Sequence, residues 1–298
     1  MRNAIALLIT LMFVMVISVA IGFGLREFKK ASNVVVQEDL LYQSSMVLDD
    51  VLVMLQSSPD LRRLADSNSS DELYTFLQSS QYLPFEIADE KIILSFESAR
   101  SRLNINDMDK TNEALFRDYF NRYMVGSSYV DILKECMRKN QVKDEYNNYT
   151  STLFDTNPSL FREYIASKKH LEKINNYYIN EYGDTNLKNV PFDQLFSYEK
   201  NANIAIDLNY ITADVWELIL GVSKERAEHF YQGEGSYKAL EDLDLNEDEK
   251  KNLRKFQTTF FAPYLLVKIE ILKETTTARI IFKYDIKLKR GYDFVFKI

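Results

Sequence analysis

The residues able to do chemistry are few. Of 298 residues one is cysteine, Cys136, and two are histidine, His170 and His229. A single cysteine excludes an internal disulfide framework and any multi-cysteine zinc or iron–sulfur site. As a nucleophile Cys136 needs a histidine partner that spacing does not supply, so it reads as a small buried apolar residue. Glu225 and His229 stand four apart, half of a helical metal site; with no second histidine nearby they read as a solvated helix face. His170, within Lys168-Lys169-His170, reads as surface. Asp242, Asp244, Asn246 and Asp248 have the 1-3-5-7 spacing of a calcium loop, but position six is Glu247 where Gly is required and position twelve is Leu253 where Glu is required. The same stretch reads as a helix start: Asn246 caps, Glu247, Asp248 and Glu249 fill the first turn, and Lys250, Lys251, Arg254 and Lys255 follow. The chain holds no G-x-S-x-G, no P-loop, no H-E-x-x-H and no dinucleotide fingerprint. Nothing supports enzymatic activity, and the chain reads as a non-enzymatic protein.

Ile219-Leu220-Gly221-Val222-Ser223, followed by Ala227, resembles half of a helix-hairpin-helix, whose backbone amides hold a DNA phosphate where glycine permits close approach. Here the second glycine position is Ser223, and residues 204–255 carry 12 acidic against 7 basic side chains. The whole chain has 44 acidic and 37 basic residues, a net charge of −7. Such a balance opposes a polyanion. A structural helical hairpin is the expected reading, and nucleic acid is not an expected partner.

Eight Gly and five Pro argue for long helices over a loop-built β protein, and 19 Tyr, 19 Phe and a lone Trp216 supply material for substantial cores. From Ala4 to Leu25 no residue is charged, roughly 33 Å of helix and enough for one bilayer crossing. A cleaved secretory signal would use Arg2, a short apolar core and Ser18-Val19-Ala20. An uncleaved anchor would use the whole run, and is favoured because the apolar stretch passes Ala20 and helical pattern resumes directly after it. The flanking charges, Arg2 before and Arg26, Lys29 and Lys30 after, nearly tie the positive-inside rule. Val36, Leu40, Val47, Val51 and Leu55 continue at helical spacing, so one helix from about Ala4 to Ser57 is expected, stopped by Pro59.

The far end of the chain changes period. Ile280, Phe282, Tyr284, Ile286 and Leu288 alternate with charged residues through Arg279–Lys289, a half-buried strand. Tyr264 to Leu272 reads as a second strand. Arg290-Gly291 reads as a turn, and Phe294, Phe296 and Ile298 as a third strand of an antiparallel meander. Lys91 to Phe96 is a further strand far away in sequence, while residues 104–261 read as helical. The expected fold class is α+β: a helix-plus-antiparallel-sheet unit from residues 26–100 and 262–298, interrupted by a helical domain at 101–261. The amphipathic half of the first helix is expected to cover the sheet.

This order resembles the type IV pilin architecture. Arg2-Asn3-Ala4-Ile5-Ala6-Leu7-Leu8 resembles the prepilin-peptidase segment of K-type minor pseudopilins. Ser98-Ala99-Arg100-Ser101-Arg102-Leu103-Asn104-Ile105-Asn106 looks like that family's strand-to-helix junction with its N-x-N element. Ile206-Asp207-Leu208-Asn209 through Val215-Trp216-Glu217-Leu218-Ile219 resembles its second such element, and Tyr264-Leu265-Leu266-Val267-Lys268-Ile269-Glu270 its closing strand. The resemblance implies a tip subunit of a type II secretion pseudopilus, pilin-like with a SAM-like all-α insertion. It further implies a leader at 1–4 cut between Ala4 and Ile5, a transmembrane helix at 5–25 in the bacterial inner membrane, and the bulk of the chain in the periplasm. Implied partners are the I- and J-type minor pseudopilins, the major pseudopilin and the prepilin peptidase. That peptidase prefers Gly where this chain has Ala4. Ile9 takes the fifth mature position, where major pilins carry a Glu that pairs with a neighbour's terminal amine in the bilayer. Calcium is implied for some members, with no ligand set assignable here. Two other readings keep the same anchor: a minor pilin of a type IV pilus or DNA-uptake system, and a membrane-anchored helix-hairpin-helix DNA-binding protein.

Overall fold

The computed structural model describes residues 40–87, 90–137, 152–200, 204–273 and 276–297. The expected leader and anchor at Ala4–Leu25 lie outside them. Among the described residues no helix is long and apolar enough to cross a membrane.

Helix α1 occupies residues 40–57, the described part of the long helix expected up to Ser57. Leu40, Val47, Val51 and Leu55 are buried as their spacing requires, joined by Ser44 and Leu48. Pro59 does more than end α1. It takes the first turn of α2 (Pro59–Ser67), where a missing N–H costs nothing, and the Ser58 hydroxyl caps that helix by accepting from the Leu61 N–H at 3.3 Å. Helix α3 (Ser70–Ser79) follows, capped by Ser69.

The α-helices lead into an antiparallel sheet of β1 (Leu83–Ile87), β2 (Glu90–Ser98), β7 (Tyr264–Lys273), β8 (Thr276–Asp285) and β9 (Arg290–Lys297), in the order β1-β2-β7-β8-β9. The register pairs Leu94 with Ile269 and Ile269 with Ile280, so the apolar residues of three strands share one face. That face, with Phe96, Val267, Ile271, Phe282 and Tyr284, packs against α1–α3 as one core. Each such fully buried Leu, Ile, Val or Phe contributes about 1.5–3 kcal/mol over its exposed state.

The strand expected through Lys289 stops at Asp285. Ile286 is buried, but Leu288 is 74 % exposed in the turn that precedes β9. That turn falls at 286–289, and Arg290-Gly291, expected as the turn, opens β9 instead. Lys289 takes a left-handed φ of 53°, and the Asp285 carboxylate accepts from the Leu288 N–H, which closes the chain reversal one step early.

Between the sheet's two halves the chain builds a second core. Its helices are α4 (Glu113–Arg122), α5 (Ser128–Cys136), α6 (Leu153–Thr156), α7 (Lys168–Tyr182), α8 (Phe192–Leu195), α9 (Ala213–Leu220), α10 (Lys224–Gln232) and α11 (Glu247–Leu253). Two pairs of two-residue parallel strands accompany them, β3 (Leu103–Asn104) with β4 (Phe196–Ser197) and β5 (Ile206–Asp207) with β6 (Thr258–Thr259). This second core runs from Leu103 to Phe256 and is dense in aromatics. Trp216 is 1 % exposed and lies against Phe230 and Tyr237. Tyr210 is the exception in position: it belongs to the sheet core.

Candidate assembly surface

At about 100° per residue, the buried positions of α1 centre on one side of the helix, around Val51. Tyr42, Met46 and Val53 fall within about 40° of one another on the opposite side. They are 69 %, 53 % and 63 % exposed. Leu41 and Met54, also exposed, lie at the two margins of the buried side and not beside this stripe. A helix lying on a sheet needs one apolar stripe; α1 has two. The second faces away from the protein, between Asp49 and Asp50.

The sheet adds to this surface. By register Phe296 lies opposite Ile280, on the helix-covered face, and Phe294 stacks on Phe282 at 5.2 Å between ring centroids. Yet Phe294 and Phe296, read from the sequence as alternating residues of the third strand, are each 41 % exposed. The cause is position: β9 is the edge strand, and α1 does not reach across it. Gly291 sets how near the helix comes. A Cβ there would stand 3.0 Å from the Leu52 side chain and 2.8 Å from Phe294. Strand β9 is distorted by a register shift in its pairing with β8 near Phe282 and by Asp293 at φ 56°, features that blunt strand addition to it. The open apolar face is therefore suited to a helix laid beside α1 more than to a strand added to β9.

Buried polar clasps knit the helical part together, Asn104, Asn106 and Asn209 among them, and Asp207 and Glu199 tie it to the sheet unit. Asn106 donates to the Ile165 and Glu199 carbonyls and accepts from the Ile165 N–H at 2.8 Å. Asn104 donates to the same Glu199 carbonyl. Asn209, 1 % exposed, donates to the carbonyls of Tyr237 and Phe260 at 2.8 Å each and accepts from the Tyr237 N–H at 2.9 Å. Asp207 accepts from the N–H groups of Asn209 and Ala262, tying the helical part to the residues that lead into β7. Burial pushes its carboxyl up to about 7, outweighing those two donors. The Glu199 carboxylate sits between Lys283 of β8 at 2.7 Å and Arg100 at 3.5 Å. Burial opposes its charge, but Lys283, Ser197 and Arg100 prevail and hold it below the usual carboxylate range.

The remaining sequence-singled residues take structural places. Gly221 ends α9 at φ 71°, and its packing is tight: a Cβ would meet Leu115 at 3.0 Å and Asn252 at 3.2 Å. Arg122 donates to the Gly221 and Val222 carbonyls and pairs with Glu217. Ser223 caps α10. The hairpin is thus locked into its own fold. Asn246 and Glu249 form a reciprocal capping box at the start of α11, and Asp242 caps Lys238 and Ala239 through their N–H groups. Cys136 is fully buried, which pushes its thiol up to about 12. Glu225 and His229 are exposed on α10. His170 departs from expectation: it is 7 % exposed, because Ser167 caps α7 and turns the first-turn histidine inward, where Nδ1 accepts from the Ala166 N–H. Burial lowers its pKa. Among the described residues no group of three His, Cys, Asp or Glu could hold a metal ion. Ala4, Ile5 and Ile9 lie outside the described residues. Sequence reasoning missed the outer stripe of α1, although Tyr42, Met46 and Val53 carried the signal as apolar residues out of phase with the core positions.

No protein-family model matches the chain, and no curated protein matches it. Among solved structures the chain is similar to one in the crystal structure of the GspK-GspI-GspJ complex from the enterotoxigenic Escherichia coli Type 2 Secretion System, with a TM-score of 0.58 at 11 % identity, covering 88 % of this chain and 97 % of that one. The α+β arrangement of sheet, covering helices and large helical part is therefore a fold this chain shares with a component of that complex.

Proposed function

We propose that this chain is a K-type minor pseudopilin, a non-enzymatic subunit of a type II secretion pseudopilus that assembles with sibling pseudopilins through the outer face of α1 and the exposed edge of the sheet. The second apolar stripe of α1 carries the reading. Interface cores favour aromatic residues and Met, and Tyr42, Met46 and Phe296 present such a surface, exposed among the described residues. The shared fold supports the same conclusion, since that structure is a complex of three Gsp proteins. In this reading the chain is anchored in the inner membrane by Ala4–Leu25, cut between Ala4 and Ile5 by the prepilin peptidase, and held in the periplasm. The I- and J-type subunits are its immediate partners, with the major pseudopilin below. Its helical part overhangs the anchor and caps the assembly. The DNA-binding alternative finds no support at the hairpin, whose glycine and carbonyls are engaged by Leu115, Asn252 and Arg122.

N-terminal sequencing of the mature protein tests the anchor and leader together. A start at Ile5 agrees with the reading, and Ala4→Gly should raise the processed fraction. A start at Ile21 contradicts it.

A further inference from the structure

A cleft of about 560 Å3 opens on the seam between the sheet core and the helical core. Four charged side chains line it. Lys268 and Glu97, on neighbouring strands, pair with each other. Arg102 and Glu234 do not pair with each other or, among the described residues, with any other group. The Arg102 Nε is buried with no hydrogen-bond partner. Tyr210, also lining the cleft, is 7 % exposed, and its hydroxyl is buried without a partner. Buried polar groups are almost always satisfied in folded proteins. Two such buried groups, on Arg102 and Tyr210, and the half-buried unpaired carboxylate of Glu234 belong to side chains lining one cleft, and together they point to a ligand that completes them.

The charges select its chemistry. A simple anion would pair with Arg102 but meet Glu234, and a simple cation the reverse. A neutral sugar would leave both unpaired. A guanidinium fork matches a carboxylate in a bidentate geometry, and a carboxylate matches an ammonium. The Gln194 side chain on the same wall, free of other partners among the described residues, suits an amide backbone. The volume falls within the usual range for small-ligand sites. We propose that this cleft binds a peptide carrying one carboxylate and one ammonium group, the carboxylate on Arg102, the ammonium on Glu234, and the peptide backbone on Tyr210. The opposed charges sit either on the two ends of a free peptide or on side chains of a loop in a larger protein.

The test is calorimetric titration of the full chain in detergent micelles with three tripeptides and maltose. Trialanine with free ends carries the charges at its termini, blocked trialanine carries none, and blocked Asp-Ala-Lys carries them on side chains. Saturable binding of trialanine assigns a free-ended peptide, and binding of blocked Asp-Ala-Lys assigns a protein loop; either supports the proposal if blocked trialanine fails to bind. Arg102→Gln and Glu234→Gln should each weaken binding about tenfold or more, the loss expected for a charge-assisted contact, and Tyr210→Phe should weaken it less. Discrimination between free and blocked peptides by the wild-type chain stands as a readout even if a variant fails to fold. No saturable binding of either charged peptide up to about 10 mM (a free energy near −3 kcal/mol) overturns the proposal. So does affinity unchanged in Arg102→Gln and Glu234→Gln, or tighter binding of maltose.

Discussion

Asn209→Ala removes three hydrogen bonds at one point and so measures how much the helical core depends on a single buried side chain. The amide serves the carbonyls of Tyr237 and Phe260 and the N–H of Tyr237, groups 28 and 51 residues away in sequence. Alanine leaves all three without that partner in a site where the native residue is 1 % exposed. An orphaned buried polar group costs about 1–3 kcal/mol, and carbonyls with a second lone pair sit at the lower end, so the expected loss is about 3–5 kcal/mol. Against a typical total of about 5–15 kcal/mol this is a large fraction. Urea unfolding followed by fluorescence of Trp216 reads it directly, because the lone tryptophan is buried in the core beside Tyr237, 6.3 Å between ring centroids. Asn209→Asp is the companion variant. It keeps an acceptor for the Tyr237 N–H but turns a carboxylate toward two carbonyls, and should destabilise at least as much as alanine. A loss under about 1 kcal/mol for Asn209→Ala would refute the argument, since it would mean the clasp holds nothing that water cannot replace.

Other consequences follow from the same geometry. The Asp207 carboxyl, raised from its ordinary 3.8 to about 7, binds a proton in the folded chain that the unfolded chain has released. Its contribution to stability is fully present below about pH 4 and is lost as pH rises through 7. The difference in unfolding free energy between wild type and Asp207→Asn should therefore shift against wild type from pH 4 to 7; a difference independent of pH contradicts this. Gly291→Ala should push α1 away from β9 through Leu52 and Phe294, lowering the urea midpoint and slowing assembly with partners, whereas Gly183→Ala, which meets nothing within 4 Å but must hold φ 67°, should affect stability alone.

Much of this architecture is legible in the chain because burial on one face imposes a period. Ile280, Phe282 and Tyr284 alternate with charge and lie on the covered face of β8. The pattern misleads where the backbone stops being a strand: Leu288 keeps the alternation but stands in a turn. β1 escapes notice because Pro84 interrupts its short run, which an edge strand tolerates. His170 is hidden by its lysine neighbours, since charge at Lys168 and Lys169 says nothing about which way the third residue of a capped helix points. The clasps are illegible for a different reason. Asn106 bonds Ile165 and Asp207 bonds Ala262 across 59 and 55 residues, and no local pattern announces a partner so distant. The outer stripe of α1 is written in Tyr42, Met46 and Val53, but three apolar residues among charged ones, on a helix that already has a full apolar face, set no second period.

The central claim is that this outer stripe and the β9 edge receive a sibling subunit. The direct measurement is co-purification of the full-length chain with its I- and J-type partners from membranes, comparing wild type with Tyr42→Asp/Val53→Asp. Both positions are more than 60 % exposed, so substitution there should leave the urea midpoint within the range of ordinary surface changes, about 0.5 kcal/mol. Burying two carboxylates without partners in an apolar interface should reduce recovered complex at least about tenfold. Wild-type recovery of both partners by the folded double variant would contradict the account.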